Sequence, residues 1–427
     1  MRTLTAQETI VVAEKEYTVH LRVKIANASA TLVDYTDFLG KNWVREVEYE
    51  DDVDQPVAVA TITLDLDDFL ISLYPLVSTS AANNTGGSYA ALLEPMREVT
   101  IETMTVPLGQ GTGAGTWKLV FHGDTLEIDA PNDVADGTLT VQCRDLGGRL
   151  QDLWLEADGT DDTPSVRYAL VDTAVETVMQ AILDDWGPGS ITLYVPSSPG
   201  WAITGQDSGQ EYGYGPGKVS VLEAITKLAD MIGWVVRYKF DSVTGTFRLT
   251  FYEPDREKTT PDLELAPGQI LRFNKFARSV AGIRNRIRVY YKSDPSAPQA
   301  SEVEVEDATS IAAWGVRYME IDETEGSAID NAIEATDLAN AALSDLKNMK
   351  ADGEPETLFR YDIEREDLIR LTGRTRVYDA NTDVSVVSVR HRISSNGEHT
   401  SAIAVRASGP IGKYQGWWDK GMFDGRG

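Results

Sequence analysis

The sequence has almost no thiol and very little imidazole. A single cysteine, Cys143, in 427 residues excludes an intramolecular disulfide and any cysteine-cluster metal site. Cys143 alternates with Val141 and Leu139 in a strand-like run, so it reads as a small buried residue, not a nucleophile. The four histidines, His20, His122, His391 and His399, form no HExxH pair. His391 and His399 fall on adjacent expected strands, where ordinary strand positions are preferred to a metal pair. No apolar run approaches the roughly 18 residues needed to span a bilayer. The opening MRTLTAQETIVV lacks the basic-then-apolar pattern of a signal peptide, so the expectation is a chain that is cytosolic or assembled there. Neither G-x-S-x-G nor a Cys-His arrangement occurs. With 67 carboxylates, an Asp/Glu pair of the glycosidase kind arises by chance and carries no weight.

Positive charge is also scarce. Lys and Arg number 39 against 67 Asp and Glu, a formal charge of −28. This argues against a surface that grips nucleic-acid phosphates or anionic membranes, both of which need clustered cations. Three readings of the acidity stay open: a well-solvated surface, a host living in high salt, or a surface that lets a polyanion slide past without adhering. The glycine-rich GQGTGAG at 109–115 lies between two expected strands with no helix after it. It therefore reads as a hairpin loop and not as a dinucleotide fingerprint. ADGTDDTP at 157–164 misses the calcium-loop spacing and reads as a solvated linker. No cofactor and no metal site is expected.

What is present is an ordinary globular composition, 42% hydrophobic and 25% charged, in a chain long enough for about three to four domains. The clearest local signal is Ser220–Arg256. Ser220 and Glu223 form a capping box, Val221, Leu222, Ile225, Leu228, Ala229 and Ile232 give a helical stripe, and Gly233 supplies the stop. The period then changes to two: Trp234, Val236, Tyr238 and Phe240 on one side, Val235, Arg237 and Lys239 on the other, with Phe247, Leu249 and Phe251 resuming after a turn. The first 145 residues carry about eight short strands with tight turns, a spacing that fits a barrel or sandwich. Asp145–Leu155 reads as loop and turn. Thr173 and Glu176 read as a second capping box before a helix. In Ile283–Lys292, arginines alternate with apolar residues and Asn285 is the exception on the apolar side. Arg284, Arg286 and Arg288 line one face, which could meet phosphate, though the acidic face of a neighbouring strand or subunit is the preferred reading. Asp307–Trp314 is a short helix stopped by Gly315. Ser327–Lys347 is the longest helix, with an apolar face of Ile329, Ala332, Ile333, Thr336, Ala339, Leu343 and Leu346; its many alanines suggest close packing on a flat surface. Strands return from Thr357 to Arg406. The tail from 412 holds Trp417, Trp418 and Phe423 between glycines, either an arm that docks on another chain or a strand-end packing element.

The succession TFRLTFYEPDR, GIRNRIRVYYK, SIAAWGVRYMEID, an Ala-rich helix and VVSVRHRISSNGEHTSAIAVRA resembles the baseplate or tail hub proteins of tailed bacteriophages and their prophage relatives. The resemblance covers roughly residues 170–410, and the N-terminal β region follows it more loosely. It implies a mainly β, multidomain chain: two tail-tube-like β-barrel domains plus smaller α+β domains. The expected parts are a barrel at 1–150, an α+β domain at 151–264 holding the helix–hairpin 220–253, a second barrel from 265–306 and 352–410, an inserted helical segment at 307–351, and an interaction arm at 411–427. It also implies a homotrimer at the tail tip of a virion, assembled in the host cytoplasm. Three copies would give a ring of six barrels continuing the tube. A distal tail or tube ring would lie above it, a tail-tip or fibre protein below, a tape measure inside, and DNA would pass without specific binding. Arg284, Arg286, Arg288, Trp417, Trp418 and Phe423 are then candidates for subunit contact. A tail-associated cell-wall hydrolase, which would need a cleft with a carboxylate of raised pKa, and a β-rich carbohydrate-binding adhesin stand as the alternatives.

Overall fold

The computed structural model describes residues 17–407 apart from 28–29, 38–40, 54, 66–94, 109–114, 130–136, 156–165, 169–172, 201, 204–211, 215–218, 256–257, 293–298, 324–328, 330, 348–349 and 374–380. The first N-terminal β run, the glycine-rich and acidic loops and the C-terminal arm thus lie outside the described residues, wholly or nearly so.

Seven strands open the chain: β1 (Tyr17–Ala26), β2 (Leu32–Asp34), β3 (Val44–Asp52), β4 (Val59–Asp65), β5 (Glu98–Pro107), β6 (Lys118–Asp129) and β7 (Thr138–Asp145). Period-two alternation decides their faces. Val47 and Tyr49 of β3, Ala60, Ile62 and Leu64 of β4, and Leu139, Val141 and Cys143 of β7 point into one core, while glutamates and threonines between them face out. Cys143 is buried there as a free thiol. The runs Trp117–Phe121 and Leu126–Ile128, read separately in the sequence, are one strand, β6. A register shift between Thr125 and Glu127 interrupts its alternation, which is why the pattern looks broken.

A helical unit follows: α1 (Gly147–Asp152), β8 (Val166–Tyr168), β9 (Thr173–Ala174), α2 (Val175–Trp186), β10 (Leu193–Tyr194), β11 (Ala202–Ile203), β12 (Tyr212–Tyr214), α3 (Val221–Met231) and the hairpin β13 (Val235–Asp241) and β14 (Thr246–Tyr252). Its core joins α1, α2 and α3 to Trp234, Val236, Leu249 and Phe251 of the hairpin. The α3 signals hold. Ser220 Oγ accepts the Glu223 N–H at 3.1 Å. Gly233, at φ +74°, closes the helix, with its N–H donating to Asp230 O and that of Trp234 to Ala229 O, a doubly bonded glycine stop. Two expectations fail here. Asp145–Leu155 is not loop throughout, because α1 forms where Leu146 and Leu150, four apart, can both be buried. The Thr173–Glu176 capping box is absent: Thr173 is taken up by the β9–β11 ladder, and Ala174 stands at the helix start without a side-chain cap.

The chain returns to the large sheet through β15 (Leu263–Leu265) and β16 (Ile270–Ser279), leaves it for an insert, and comes back. The insert comprises β17 (Arg286–Tyr291), β18 (Ser301–Glu306), α4 (Ala308–Trp314), β19 (Tyr318–Glu323) and α5 (Ala332–Leu346). The return is β20 (Lys350–Leu358), β21 (Leu368–Leu371), β22 (Thr382–Ser394) and β23 (His399–Ala407). β17 and β18 pair only with each other and β19 among the described strands. The insert therefore takes in 286–306, which the sequence had assigned to a second barrel. Alternation alone cannot say which sheet a strand joins. Asn285, the exception noted in the sequence, is fully buried and satisfied. It accepts the Arg317 N–H at 2.7 Å and donates to Gly315 O at 2.8 Å, pinning the end of α4 to the start of β17. Helix α5 starts at Ala332, with the Asn331 side chain accepting the Ile333 and Glu334 N–H groups as its cap; the expected start at Ser327 lies outside the described residues. Its buried face is Ala335, Leu338, Ala339, Ala342, Leu343 and Leu346. Ile333 is 75% exposed, so the apolar stripe was misphased by about one residue at its start. The alanines do let α5 lie close on β17 and β18.

The two large β regions, β1–β7 and β15–β16 with β20–β23, are hydrogen-bonded to each other. They form one thirteen-stranded sheet in the order β16-β20-β23-β22-β3-β4-β7-β6-β5-β1-β2, with β21 on β22 and β15 parallel on β21. The two β regions keep separate cores, one around Val47, Ile62 and Val141 and one around Ile369, Val386 and Ile403, and are joined by a seam, the antiparallel β3–β22 ladder running from Ser388 opposite Asp52 to Ser394 opposite Glu46. On its inner side, His391 stacks on Tyr49 at 4.6 Å and meets Phe359 edge-on at 5.3 Å, and shares a 2.8 Å hydrogen bond with Ser401 Oγ. On its outer side, Arg390 holds Glu50 at 2.9 Å and Glu48 at 3.5 Å, and Arg392 holds Glu46. Hydrophobic packing and ion pairs thus fix the same register from opposite faces.

Close approach in this sheet is demanding at Gly123 of β6, where an added Cβ would lie 1.9 Å from the Arg144 carbonyl oxygen. Gly123→Ala is expected to cost about 3 kcal/mol or more, whereas Gly397→Ala, with open space and a φ of +89°, should cost only about 1 kcal/mol. Chemical denaturation followed by tryptophan fluorescence checks the order of the two midpoints.

Candidate functional site

Three parts of the chain converge on one buried ionic cluster. β3 contributes Asp51, the hairpin contributes Arg237, Tyr238, Lys239 and Tyr252, and the stretch before β21 contributes Glu364, Arg365 and Glu366. Arg237 is only 3% exposed. The sequence places it with Val235 and Lys239 on the second hairpin face, and that face docks on the sheet. Its guanidinium donates to Asp51 at 3.2 Å and lies 4.0 Å from Glu366. Tyr252 Oη donates to the same Glu366 oxygen at 2.6 Å, and the Lys239 ammonium sits 4.7 Å over the Tyr252 ring. Arg365 donates to the backbone carbonyls of Asp52 at 2.6 Å and Gln55 at 3.3 Å, and lies 3.4 Å from Asp51. Asp51 therefore bridges two arginines from different parts of the chain.

The backbone of Glu366 is left-handed, at φ +70°, a conformation that costs a non-glycine residue of the order of 1 kcal/mol or more. The turn is held by the Glu366 N–H donating to Val386 O at 2.9 Å and the Val386 N–H donating to Asp367 O at 2.9 Å. It brings the carboxylate to Arg237 and Tyr252. Burial pushes the Glu366 pKa up, but the charges of Arg237, Arg365 and Lys239 and the Tyr252 hydroxyl hold it below the ordinary carboxylate value. Burial, with the nearby Arg237 charge, pulls Lys239 down.

A cavity of about 50 Å³ opens beside this cluster, bordered by Asp145, His122, Tyr238, Tyr361 and His391 among others. Asp145 is the carboxyl with the raised pKa that a hydrolase would need. Burial lifts it from 3.8 to about 7, and the charge of Asp51 adds to the rise. Both its oxygens, however, are engaged by backbone, accepting the Ala58 N–H at 2.8 Å and the Gly147 N–H at 2.8 Å. The cavity has room for a water or two, not for a sugar ring. Asp145 has the raised pKa and lacks the access. Nearby, fully buried Asp124 accepts Arg149 Nη2 at 2.6 Å, and Arg360 and Asp362 form a buried bidentate pair at 2.8 and 2.6 Å. Together these groups can fix three units in one geometry. Sequence reading missed the cluster, although Arg237 and Lys239 inside the β13 run were its trace.

The residues singled out in the sequence fall elsewhere. Arg286 meets Glu306 at 2.5 Å, and Arg288 meets Glu304 at 2.7 Å and Glu302 at 3.5 Å. The acidic strand they meet is β18 of the same chain. Arg284 stands apart, donating to the carbonyls of Ala281 and Ile283. Trp417, Trp418 and Phe423 lie outside the described residues. Among the described residues, no three His, Cys, Asp or Glu side chains are grouped to hold a metal ion. No helix there is long and apolar enough to cross a membrane.

No protein-family model and no curated protein matches this chain. Solved structures do. The tail protein of Neisseria meningitidis MC58 superposes with a TM-score of 0.55 at 12% identity, over 94% of this chain and 99% of that one. The 43 kDa tail protein of prophage MuSo2 from Shewanella oneidensis gives 0.56 at 11%, over 90% and 98%. Prophage tail protein gp18 from Listeria monocytogenes EGD-e gives 0.52 at 12%, over 90% and 94%. At such identities the likeness is one of fold, and it runs the full length of each neighbour: the chain has the fold of these phage tail proteins.

Replacing Arg237 by Ala leaves Asp51 and Glu366 without their shared cation. We expect a loss of about 3–5 kcal/mol, partly recovered when Glu366→Gln is added, as measured by denaturation midpoints in a double-mutant cycle. The pH dependence follows from Asp145. Its carboxyl binds a proton more tightly folded than unfolded, so its contribution to stability is greatest below about pH 4 and is lost as pH rises to about 7. The melting temperature of the native chain relative to Asp145→Asn should therefore fall across that window in thermal scans at matched ionic strength.

Proposed function

We propose that this chain, which has the fold of phage tail proteins, is a structural component of a tailed-phage virion. In this reading it is a hub at the tail tip that assembles as a homotrimer, continues the tail tube and reacts with nothing. The observation that carries the proposal is the seam. Two β regions of one chain are welded edge to edge into a single wide wall, and three such chains would supply six wall segments around an axis. A tube ring above, a tip or fibre protein below and a tape measure inside are the partners this arrangement calls for.

The charge fits the role. Three copies at −28 each carry a formal −84, and a lumen that shares in that charge repels phosphates at separations up to about 10 Å at 0.1 M salt. DNA would pass without adhering. Phosphate-gripping rows are not offered on the described faces by Arg286, Arg288, Arg390 and Arg392, because each is held by a glutamate.

Light scattering of the purified chain is expected to give three times the chain mass, alone or as mass added to a tail-tube ring, and a zymogram on peptidoglycan to show no clearing. A monomer in both mixtures, or a cleared band, would count against the reading.

A further inference from the structure

The insert's three-stranded sheet is covered on one face and open on the other. α5 lies over Ile287, Val289 and Ile321. On the open face the registers bring Arg286 opposite Glu306 and Tyr318, Arg288 opposite Glu304 and Glu320, and Tyr290 opposite Glu302 and Asp322. Five carboxylates there surround two guanidinium groups, and both guanidinium groups are already paired with β18. The face is thus acidic in excess. At its rim lie Trp314 (39% exposed), Val316 (54%) and Tyr318 (38%), within five consecutive residues, where the chain leaves α4 at Gly315 and enters β19. Aromatic anchors at the edge of an acidic face are the composition of a protein-binding surface.

We propose that this open face docks a basic segment of a different protein, its arginines or lysines lying over the carboxylates and an apolar side chain meeting Trp314 and Val316. Charge decides the occupant. A second copy of a −28 chain, DNA and an anionic bilayer all bring negative charge to a face that already has too much of it. A cationic polypeptide is the class that gains from both halves of the surface. The proposal stands apart from the hub reading, since it depends only on this face.

The test uses the full-length chain and a fluorescent dodecapeptide of alternating arginine and leucine, followed by anisotropy at low salt. A face variant carries Glu302→Gln, Glu320→Gln and Asp322→Asn. A control variant of equal charge carries Glu127→Gln, Asp129→Asn and Asp184→Asn, all exposed and outside the insert. The face variant should bind about tenfold more weakly and the control within about twofold of the native chain. Trp314→Ser should weaken binding in a way that persists at 0.5 M salt, where the ionic part is screened to a few ångströms, roughly half the 0.1 M length. The proposal is overturned by equal weakening in face and control variants, by no measurable binding to the native chain, or by a change in oligomer mass in the face variant alone, which would make a second copy the occupant.

Discussion

The structure depends on a charge that has nowhere else to go. Arg237 enters a buried junction beside the apolar Val235 and Val236, and a guanidinium cannot be neutralised there as a lysine can. Asp51 and Glu366 must therefore come to it, one from the first β region and one from the second. Hydrophobic burial alone would let the helix–hairpin unit slide over the sheet, because it is non-directional. A buried ion pair is a weak source of net stability and a strong source of geometry once formed, since either partner left alone is costly. The left-handed backbone of Glu366 is consistent with that reading: local strain is tolerated where it completes the cluster.

The same logic appears twice more with less burial. At the β3–β22 seam, arginines on one strand match glutamates on the other across the register. In the insert, Arg286 and Arg288 match β18 likewise. Exposed pairs of this kind contribute little each, of the order of 0–1 kcal/mol, but they penalise a one-residue slip that would bring like charges together. An acidic chain spends its few cations on register and docking. The chain keeps a formal charge of −28, which suits the proposed conduit for a polyanion.

Much of this was legible in the sequence, and the pattern of misses is physical. Period-two runs gave most of the strands, Ser220 with Glu223 gave a helix start, Gly233 and Gly315 gave helix stops, and Cys143 was correctly read as core. Local signals report local structure. Whether β17 and β18 extend the large sheet or found a separate one is decided by α5, some forty residues away, and no alternation encodes it. The seam was invisible for the same reason, since β3 and β22 are more than 300 residues apart. α1 hid behind two glycines, and Thr173 had the composition of a cap but was claimed by a strand. Arg237 could be seen but not interpreted, because a cation on a hairpin face is ordinarily solvated and only tertiary packing turns it into a keystone.

The account comes down to whether the welded wall closes around a hole. Class averages from negative-stain images of the purified chain, mixed where necessary with a tube ring, measure this directly. The account predicts threefold particles with six similar lobes around a stain-filled centre. Solid particles without a central opening, or twofold symmetry, would contradict it.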